Sequence, residues 1–242
     1  MSIRTRFESS CDIGAYAKLT NAYSLIGLGG SENFYSTFEA ELGSHIPVVH
    51  CSISNTKIIG RLITGNKHGL LVPSIISDTE LKHLRNSLPE SIKIRKIDDR
   101  LSALGNCISC NDYVALVHPE FDKESEEIIA DVLGVEVFKT TIATSPLVGT
   151  YSVFNNLGGI VHPATTMEEY EELANLMQVP IGAATVNRGS ELLGSGLVAN
   201  DWIIFCGMDT TSAEIDNIEK IFKVRGNAKT KPNEKNTQMI FN

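Results

Sequence analysis

A chain of 242 residues, 42% hydrophobic and 21% charged, has the composition of an ordinary globular protein and can bury a substantial core. Its net charge of −8 argues against general nucleic-acid binding by phosphate neutralisation. The N-terminus shows no signal-like segment, no apolar run approaches the roughly eighteen residues a bilayer requires, and the five cysteines are odd in number, so we expect an intracellular, reducing environment.

In chain order, the first feature is a glycine flanked by apolar residues, and it recurs through almost the whole chain. We call these residues the anchor glycines; they are Gly14, Gly60, Gly105, Gly149 and Gly194, at spacings of 46, 45, 44 and 45 residues. An asparagine and then a second apolar run follow each glycine; the asparagines are Asn21, Asn66, Asn111, Asn155 and Asn200. This pattern predicts two strands joined by a tight turn, at which asparagine and glycine are expected to supply a positive φ.

Each unit continues with a segment whose apolar residues recur at helical spacing after a capping residue. The predicted helices lie in "ENFYSTFEAEL", "TELKHLRNSL", "KESEEIIADVL", "TTMEEYEELANLM" and "TTSAEIDNIEKIF". The second has Ser77 or Asp78 as its cap, and the third has Asp122 as its cap and Gly134 at its C-terminus. β-Branched stretches follow the first four helices, in "IPVVHCSI", "IKIRKI", "VEVFKTTI" and "VPIGAATV", and predict a third strand in those units.

The repeat therefore predicts one domain, residues 1–224, with five units of about 45 residues. The unit boundaries are roughly 1–54, 55–99, 100–144, 145–189 and 190–224. No unit has the polar outer face that would cap an open solenoid, so we expect the units to close into a five-fold pseudosymmetric α/β propeller. Residues 225–242 are polar and predict a flexible tail.

Several residues that could carry chemistry are better explained by structure. His118 and His162 occupy equivalent places before a proline, but the second unit has Val72 there, which favours packing at a strand end. Cys206 lies in an apolar run that would raise rather than lower the pKa of a nucleophilic thiol. We therefore predict no catalytic residue and keep an enzyme as the minority alternative.

Metal and cofactor sites are not indicated either. The CxxC pair of Cys107 and Cys110 lies in a strand-like segment without a second pair to complete a zinc site. The glycine-rich stretch 27–34 matches neither the dinucleotide motif nor the phosphate loop. The sequence thus predicts no bound metal and no cofactor.

Ring closure would place the residues that follow the anchor glycines around one rim. These residues are Ala15, Arg61, Asn106, Thr150 and Ser195. Equivalent positions with varied side chains suit recognition of a broad surface, so the residues themselves predict a ring-shaped binding protein.

Longer phrases carry a specific resemblance. "TRFESSCDIGAYAKLTNAYSLIGLGGSENFYS", "NTKIIGRLITGNKHGLLVP", "LGNCISCNDYVALVHPE", "VGTYSVFNNLGGIVHP" and "ATVNRGSELLGSGLVANDWIIFCGMDTT" resemble the eukaryotic translation initiation factor 6 family, over about residues 1–224. The resemblance implies a pentein-type fold, in agreement with the repeat. It also implies a factor that binds the joining face of the large ribosomal subunit, blocks the small subunit sterically, and takes part in large-subunit maturation and export from the nucleolus to the cytoplasm.

The same resemblance implies the partners of such a factor. These are ribosomal proteins with nearby rRNA, a release GTPase related to translation elongation factors, and the Shwachman–Bodian–Diamond protein; a monomer without membrane contact is expected. The ribosome-binding hypothesis takes its residues from the rim and from the last unit; they are Arg61, Asn106, Thr150, Leu192, Ser195, Leu197 and Asn200. Two alternatives stay open: a pentein-type guanidine-modifying enzyme using Cys206, His162 and an Asp, and a nuclear scaffold unrelated to ribosomes.

Overall fold

The computed structural model describes residues 1–224, and the tail predicted at 225–242 lies outside the described residues. The described part contains five three-stranded sheets, five longer helices and five one-turn helices at the anchor glycines. The predicted α/β propeller of five repeats is confirmed. Within residues 1–224, no helix combines the length and the apolar character needed to cross a membrane.

The elements follow one another in the same order in each unit. The strands are β1 Ser2–Thr5, β2 Ala17–Leu19, β3 Ser24–Gly27, β4 Val48–Cys51, β5 Thr64–Gly65, β6 Gly69–Pro73, β7 Lys93–Ile97, β8 Ile108–Cys110, β9 Val114–Val117, β10 Glu136–Lys139, β11 Ser152–Phe154, β12 Gly159–Val161, β13 Ile181–Ala183, β14 Leu197–Ala199 and β15 Ile204–Gly207. The longer helices are α2 Glu32–Leu42, α4 Asp78–Ser87, α6 Lys123–Leu133, α8 Met167–Met177 and α10 Ser212–Ile221. The one-turn helices are α1 Ile13–Tyr16, α3 Ile59–Leu62, α5 Leu104–Cys107, α7 Val148–Tyr151 and α9 Leu193–Gly196.

Each sheet combines an antiparallel hairpin with one parallel strand that returns after the longer helix. In the fifth sheet, the parallel strand comes from the other end of the chain. Strand β1 pairs with β15, with Ser2 opposite Ile204 and Thr5 opposite Gly207. Residues 2–5 therefore complete the fifth sheet, although they stand at the start of the chain, and this pairing joins the N-terminal segment to the last unit.

The helix starts follow the chemistry expected of caps. Ser77, rather than Asp78, is the N-cap of α4, and it exchanges hydrogen bonds with Glu80 in a capping box. Asp122 caps α6, and Gly134 ends it with a left-handed φ of 63°. The side-chain oxygen of each cap accepts a bond from a backbone N–H that the helix itself leaves unpaired.

Neighbouring units share their cores. Tyr23 and Leu25 of the first unit pack in one buried cluster with Leu81 and Leu84 of the second. At the closing seam, the rings of Phe38 in α2 and Phe205 in β15 stack with centroids 4.0 Å apart. A single unit could not bury these side chains alone, so its stability depends on both neighbours.

The anchor glycines form the narrowest part of the ring. The one-turn helices contact one another around a full circle, including α9 with α1. A Cβ atom on Gly60 would lie 2.1 Å from the carbonyl oxygen of Gly14, and one on Gly14 would lie 2.1 Å from that of Gly194. Only glycine permits this backbone contact, which explains why glycine recurs there.

Candidate functional site

The inner strands of the five sheets surround a central axis with two different ends. We call the end formed by the one-turn helices the short-helix face, and the end formed by the hairpin turns the turn face. Asn106, Thr150 and Ser195 lie partly exposed on the short-helix face. The Thr150 hydroxyl donates a 3.2 Å hydrogen bond to Asn106 Oδ1, so these equivalent positions of adjacent units touch.

Arg61 behaves differently from the other residues of the rim. Its Nη1 donates a 3.2 Å hydrogen bond to the carbonyl oxygen of Gly149, on the far side of the axis. Its Nε is buried without a hydrogen-bond partner. Burial lowers the pKa of Arg61 to about 10, although Asp12 acts in the opposite direction. The guanidinium therefore extends across the axis instead of out from the rim.

The residues predicted in the last unit are only partly at the surface. Leu192 is 44% exposed, whereas Leu197 is 1% and Asn200 is 2% exposed. Leu197 packs in the core of the fifth unit, and Asn200 is fixed in the turn face by hydrogen bonds. Their side chains therefore offer little surface for direct contact, and their part in ribosome binding stays a prediction.

An apolar feature of the short-helix face was missed in the sequence. Ile58 and Leu147 precede their anchor glycines by two residues, as Leu192 does, and are 44% and 37% exposed. The three residues share one backbone conformation, with φ between −83° and −80°. We call Ile58, Leu147 and Leu192 the apolar triad. The signal was available in the repeat, because apolar residues at equivalent positions before a short turn can be compared between units.

The turn face is closed by asparagine side chains linked from unit to unit. Asn66 donates to the carbonyl oxygen of Asn111, and Asn155 donates to that of Asn200, each over 3.1 Å. Asn200 donates in turn to the carbonyl oxygen of Thr20 over 3.2 Å. Thr20, and not the predicted Asn21, is thus the equivalent residue in the first unit.

The role predicted for these asparagines in the turns was also wrong. Their φ angles are not positive. Instead, the Oδ1 atom accepts hydrogen bonds from the backbone N–H groups two and three residues later, as Asn155 does from Leu157 and Gly158. The side chain therefore closes the turn with hydrogen bonds, and its amide group remains available for the neighbouring unit.

A second polar layer lies beside the asparagines at the turn face. The side-chain amides of Asn21 and Asn156 each donate to both Asp112 and Asp201, over 2.7–2.9 Å. Lys67 places its Nζ 3.7 Å from the carboxylate of Asp112. Burial raises the pKa of Asp201, and Asp112 raises it further, while hydrogen bonds from Asn156 and Asn21 lower it.

The residues of the enzyme alternative have separate structural roles. Cys206 is 1% exposed, its Sγ lies 3.6 Å from the carbonyl oxygen of Ile3, and burial raises its pKa to about 11. His162 Nε2 lies 2.9 Å from Glu191 Oε2, and its Nδ1 accepts from the backbone N–H of Ala164. A buried thiol with a raised pKa is a poor nucleophile.

His118 accepts in the same way from the N–H of Glu120, a hydrogen bond that the side chain of Val72 at the equivalent place could not accept. Cys107 and Cys110 are free thiols, and burial raises the pKa of both. Among residues 1–224, no three His, Cys, Asp or Glu side chains form a group that could hold a metal ion.

The fold and its two faces define a closed five-unit α/β propeller. A family model described as "eIF-6 family" matches residues 2–221. The chain belongs to the eIF-6 family.

Among similar proteins, eukaryotic translation initiation factor 6 of Tetrahymena thermophila is 61% identical over 224 residues, which are 93% of this chain and 91% of that protein. The Drosophila melanogaster factor is 60% identical over 93% of this chain and 91% of its own length. As a member of this family, the chain is a translation initiation factor.

Two solved structures share a weaker similarity. One is a dimethylarginine dimethylaminohydrolase variant in an adduct with S-methyl-L-thiocitrulline, with a TM-score of 0.48, 14% identity, and coverage of 74% of this chain and 70% of that chain. The other is the N-terminal domain of ArgZ, an arginine dihydrolase from cyanobacteria, with a TM-score of 0.47, 12% identity, and coverage of 72% and 67%. At these values the similarity carries no conclusion about the activity of this chain.

Proposed function

We propose that this chain binds the joining face of the large ribosomal subunit and prevents premature association with the small subunit by occupying space. The observation that carries the proposal is the 60–61% identity to proteins named eukaryotic translation initiation factor 6 over 93% of the chain. The closed ring supports a steric mechanism. The β1–β15 pairing and the cores shared between units make the protein resist deformation, so it can keep another particle out of the space that it occupies.

The short-helix face is the proposed docking surface. It combines the apolar triad with the partly exposed polar side chains of Asn106, Thr150 and Ser195. Protein interfaces of standard size bury about 800 Å² on each partner and contain apolar residues within a polar rim. In this proposal Leu192 contributes apolar contact and Asn106 contributes hydrogen bonds. Leu197 is buried in the core of the fifth unit, and Asn200 lies in the turn face, away from this docking surface.

The remaining steps follow from the same family relationship. The factor takes part in large-subunit maturation and nuclear export, and it works in the nucleolus, the nucleus and the cytoplasm. Its partners are ribosomal proteins with nearby rRNA, and its release requires a GTPase related to translation elongation factors and the Shwachman–Bodian–Diamond protein. It acts as a monomer without membrane contact.

A gradient assay of subunit joining tests this function. Purified large and small subunits are mixed with and without the full chain, and joined ribosomes are separated by sedimentation. The protein should cosediment with large subunits and reduce the joined fraction. Unchanged joining at a saturating excess of protein contradicts the steric role, and failure to cosediment favours the scaffold unrelated to ribosomes.

Substitutions on the two faces locate the docking surface. Leu192→Ser and Asn106→Asp on the short-helix face should weaken cosedimentation without lowering the melting temperature. The matched control is Tyr113→Ser, because Tyr113 is 62% exposed at the turn face. Loss of binding in Tyr113→Ser, with binding retained in the other two variants, would move the docking surface to the turn face.

The proposed function includes no catalysis. The buried Cys206 thiol, with its raised pKa, supports this view. Incubation with arginine or agmatine, followed by assays for citrulline-type products and urea, tests the guanidine-modifying alternative. Product formed by wild type and lost in Cys206→Ser would establish that alternative.

A further inference from the structure

A cavity of about 60 Å³ lies on the axis between the ring of anchor glycines and the turn face. Among the described residues that line it, Lys18 and Arg61 are basic and none is acidic. The other lining residues are mainly glycines and the inner strands, including Ser109 and Cys110. The cavity thus contains two positive charges without a carboxylate in its wall.

Lys18 and Arg61 carry more N–H donors than the hydrogen bonds that they make. Lys18 Nζ makes one long hydrogen bond, 3.4 Å to Thr64 Oγ1. Arg61 Nη1 bonds to Gly149, and its buried Nε has no partner. An ammonium group carries three N–H donors and a guanidinium carries five, so most of the donating capacity of this pair is left over.

The charges of the two groups are also only partly compensated, because Asp12 raises the pKa of Arg61 from outside the cavity wall. Burial lowers the pKa of Lys18, Cys110 opposes that shift, and Arg61 lowers the pKa further by repulsion. Cys110 is no counter-ion in its ordinary state, because burial raises the pKa of its thiol. Two partly buried cations in one cavity cost free energy unless an opposite charge with acceptor atoms lies between them.

We propose that the axial cavity binds a small inorganic anion between Lys18 Nζ and the Arg61 guanidinium. The anion is a halide or an oxyanion of the size of phosphate, since the volume holds only a few water-sized groups. The bound anion ties the second unit, which carries Arg61, to the first, which carries Lys18.

Thermal unfolding of the full chain tests the site. The protein is exchanged into sodium gluconate, whose anion is too bulky for the cavity, and is titrated with chloride or with phosphate at constant ionic strength. A specific site gives a melting temperature that rises and saturates with one of these anions. Lys18→Met should raise the apparent dissociation constant about tenfold or more, since a charge-assisted hydrogen bond is lost.

Lys82→Met is the matched control, because Lys82 is exposed on α4 far from the axis. It should respond to the anion as wild type does. An identical, unsaturated response in wild type and both variants would show a general salt effect and overturn the proposal. A response to chloride alone would assign a halide site, and a response to phosphate alone would assign an oxyanion site.

A second measurement does not depend on the folding of a variant. Crystals of the wild-type chain grown or soaked in sodium bromide should show an anomalous peak between Lys18 and Arg61. For an oxyanion site, arsenate serves as the anomalous probe. Water alone at this position with both probes at saturation would overturn the proposal.

Discussion

Gly14 lies against Gly194, so closely that a Cβ atom on Gly14 would sit 2.1 Å from the Gly194 carbonyl oxygen. The two residues are separated by most of the chain, yet they repeat the contact that Gly60 makes with Gly14. The first and last units therefore meet in the same way as sequence neighbours do, which is the geometric condition for a closed ring.

Gly14→Ala should destabilise the ring at its closing contact. The added methyl group meets backbone rather than a flexible side chain, so we expect a loss of about 3 kcal/mol or more in the free energy of unfolding. Chemical denaturation measures it. Ser36→Ala, on the exposed side of α2, should change stability by less than about 0.5 kcal/mol. Equal small effects at both positions would contradict the close approach.

Phe38 and Phe205 should be energetically coupled across the closing seam. Each single alanine substitution should cost about 3–5 kcal/mol, and a double-mutant cycle should give a coupling of roughly 0.5–1.5 kcal/mol from ring stacking. Phe38→Ala combined with Leu84→Ala serves as the control. Leu84 belongs to a different core cluster, and its effect should add to that of Phe38→Ala within about 0.5 kcal/mol. If the effects of Phe38→Ala and Phe205→Ala are additive, the two rings are not in contact in solution and the closing seam is open.

Glu80 should contribute stability that depends on pH. Partial burial tends to raise the pKa of Glu80, but bonds from the backbone of Asn55 and from Ser52 and Ser77 outweigh it and lower the pKa to about 2. Because the folded pKa is below the ordinary value of 4.5, the contribution is complete above pH 4.5 and decreases as the pH falls towards 2. Glu80→Gln should therefore be less stable than wild type at pH 7.

Denaturation at a series of pH values tests this expectation. The difference in the free energy of unfolding between wild type and Glu80→Gln should become smaller below about pH 4.5. Glu90→Gln removes the same charge from an exposed position and should not produce such a narrowing. If the difference in unfolding free energy between wild type and Glu80→Gln stays constant from pH 7 to pH 3, the charge of Glu80 does not contribute to stability.

Thr20→Asn should strengthen the turn face. The other four units have asparagine at this position, and Thr20 cannot donate a side-chain amide to Asn66. An asparagine here would complete the ring of links and should add about 0.5–1.5 kcal/mol. Thr20→Ala is the informative comparison, since it removes the acceptor for the N–H groups of Ala22 and Tyr23 and should destabilise the chain. If Thr20→Asn is as destabilising as Thr20→Ala, the first turn has no room for the amide.

The elements that sequence predicted best are those stabilised within one unit. Ser77 was one of two candidates for the α4 cap, and Asp122 and Gly134 were predicted at the two ends of α6. Their hydrogen bonds run to residues three or four positions away, so local sequence is sufficient. For the His-Pro pairs, packing at a strand end stays a prediction; His118 is buried and also accepts a bond from a backbone group two residues later.

The sequence predicted least accurately the positions of residues whose contacts lie in other units. In the first unit the turn residue is Thr20 and not Asn21. Its hydroxyl oxygen accepts the bonds that an asparagine Oδ1 accepts in the other units, so a pattern that requires asparagine passes over it. The repeat predicts Arg61 on one rim of the ring, but its side chain spans the axis to Gly149. The direction of a long side chain depends on the space that distant units leave for it.

By itself, the sequence determined the number of units, their internal order and the family to which the chain belongs, because periodic residues and caps act over short distances. The tertiary structure decided that Ser2–Thr5 complete the fifth sheet, that Leu197 and Asn200 are buried, and that Lys18 and Arg61 share a cavity. These facts arise when residues far apart in the chain meet around one axis, and no local pattern encodes such a meeting.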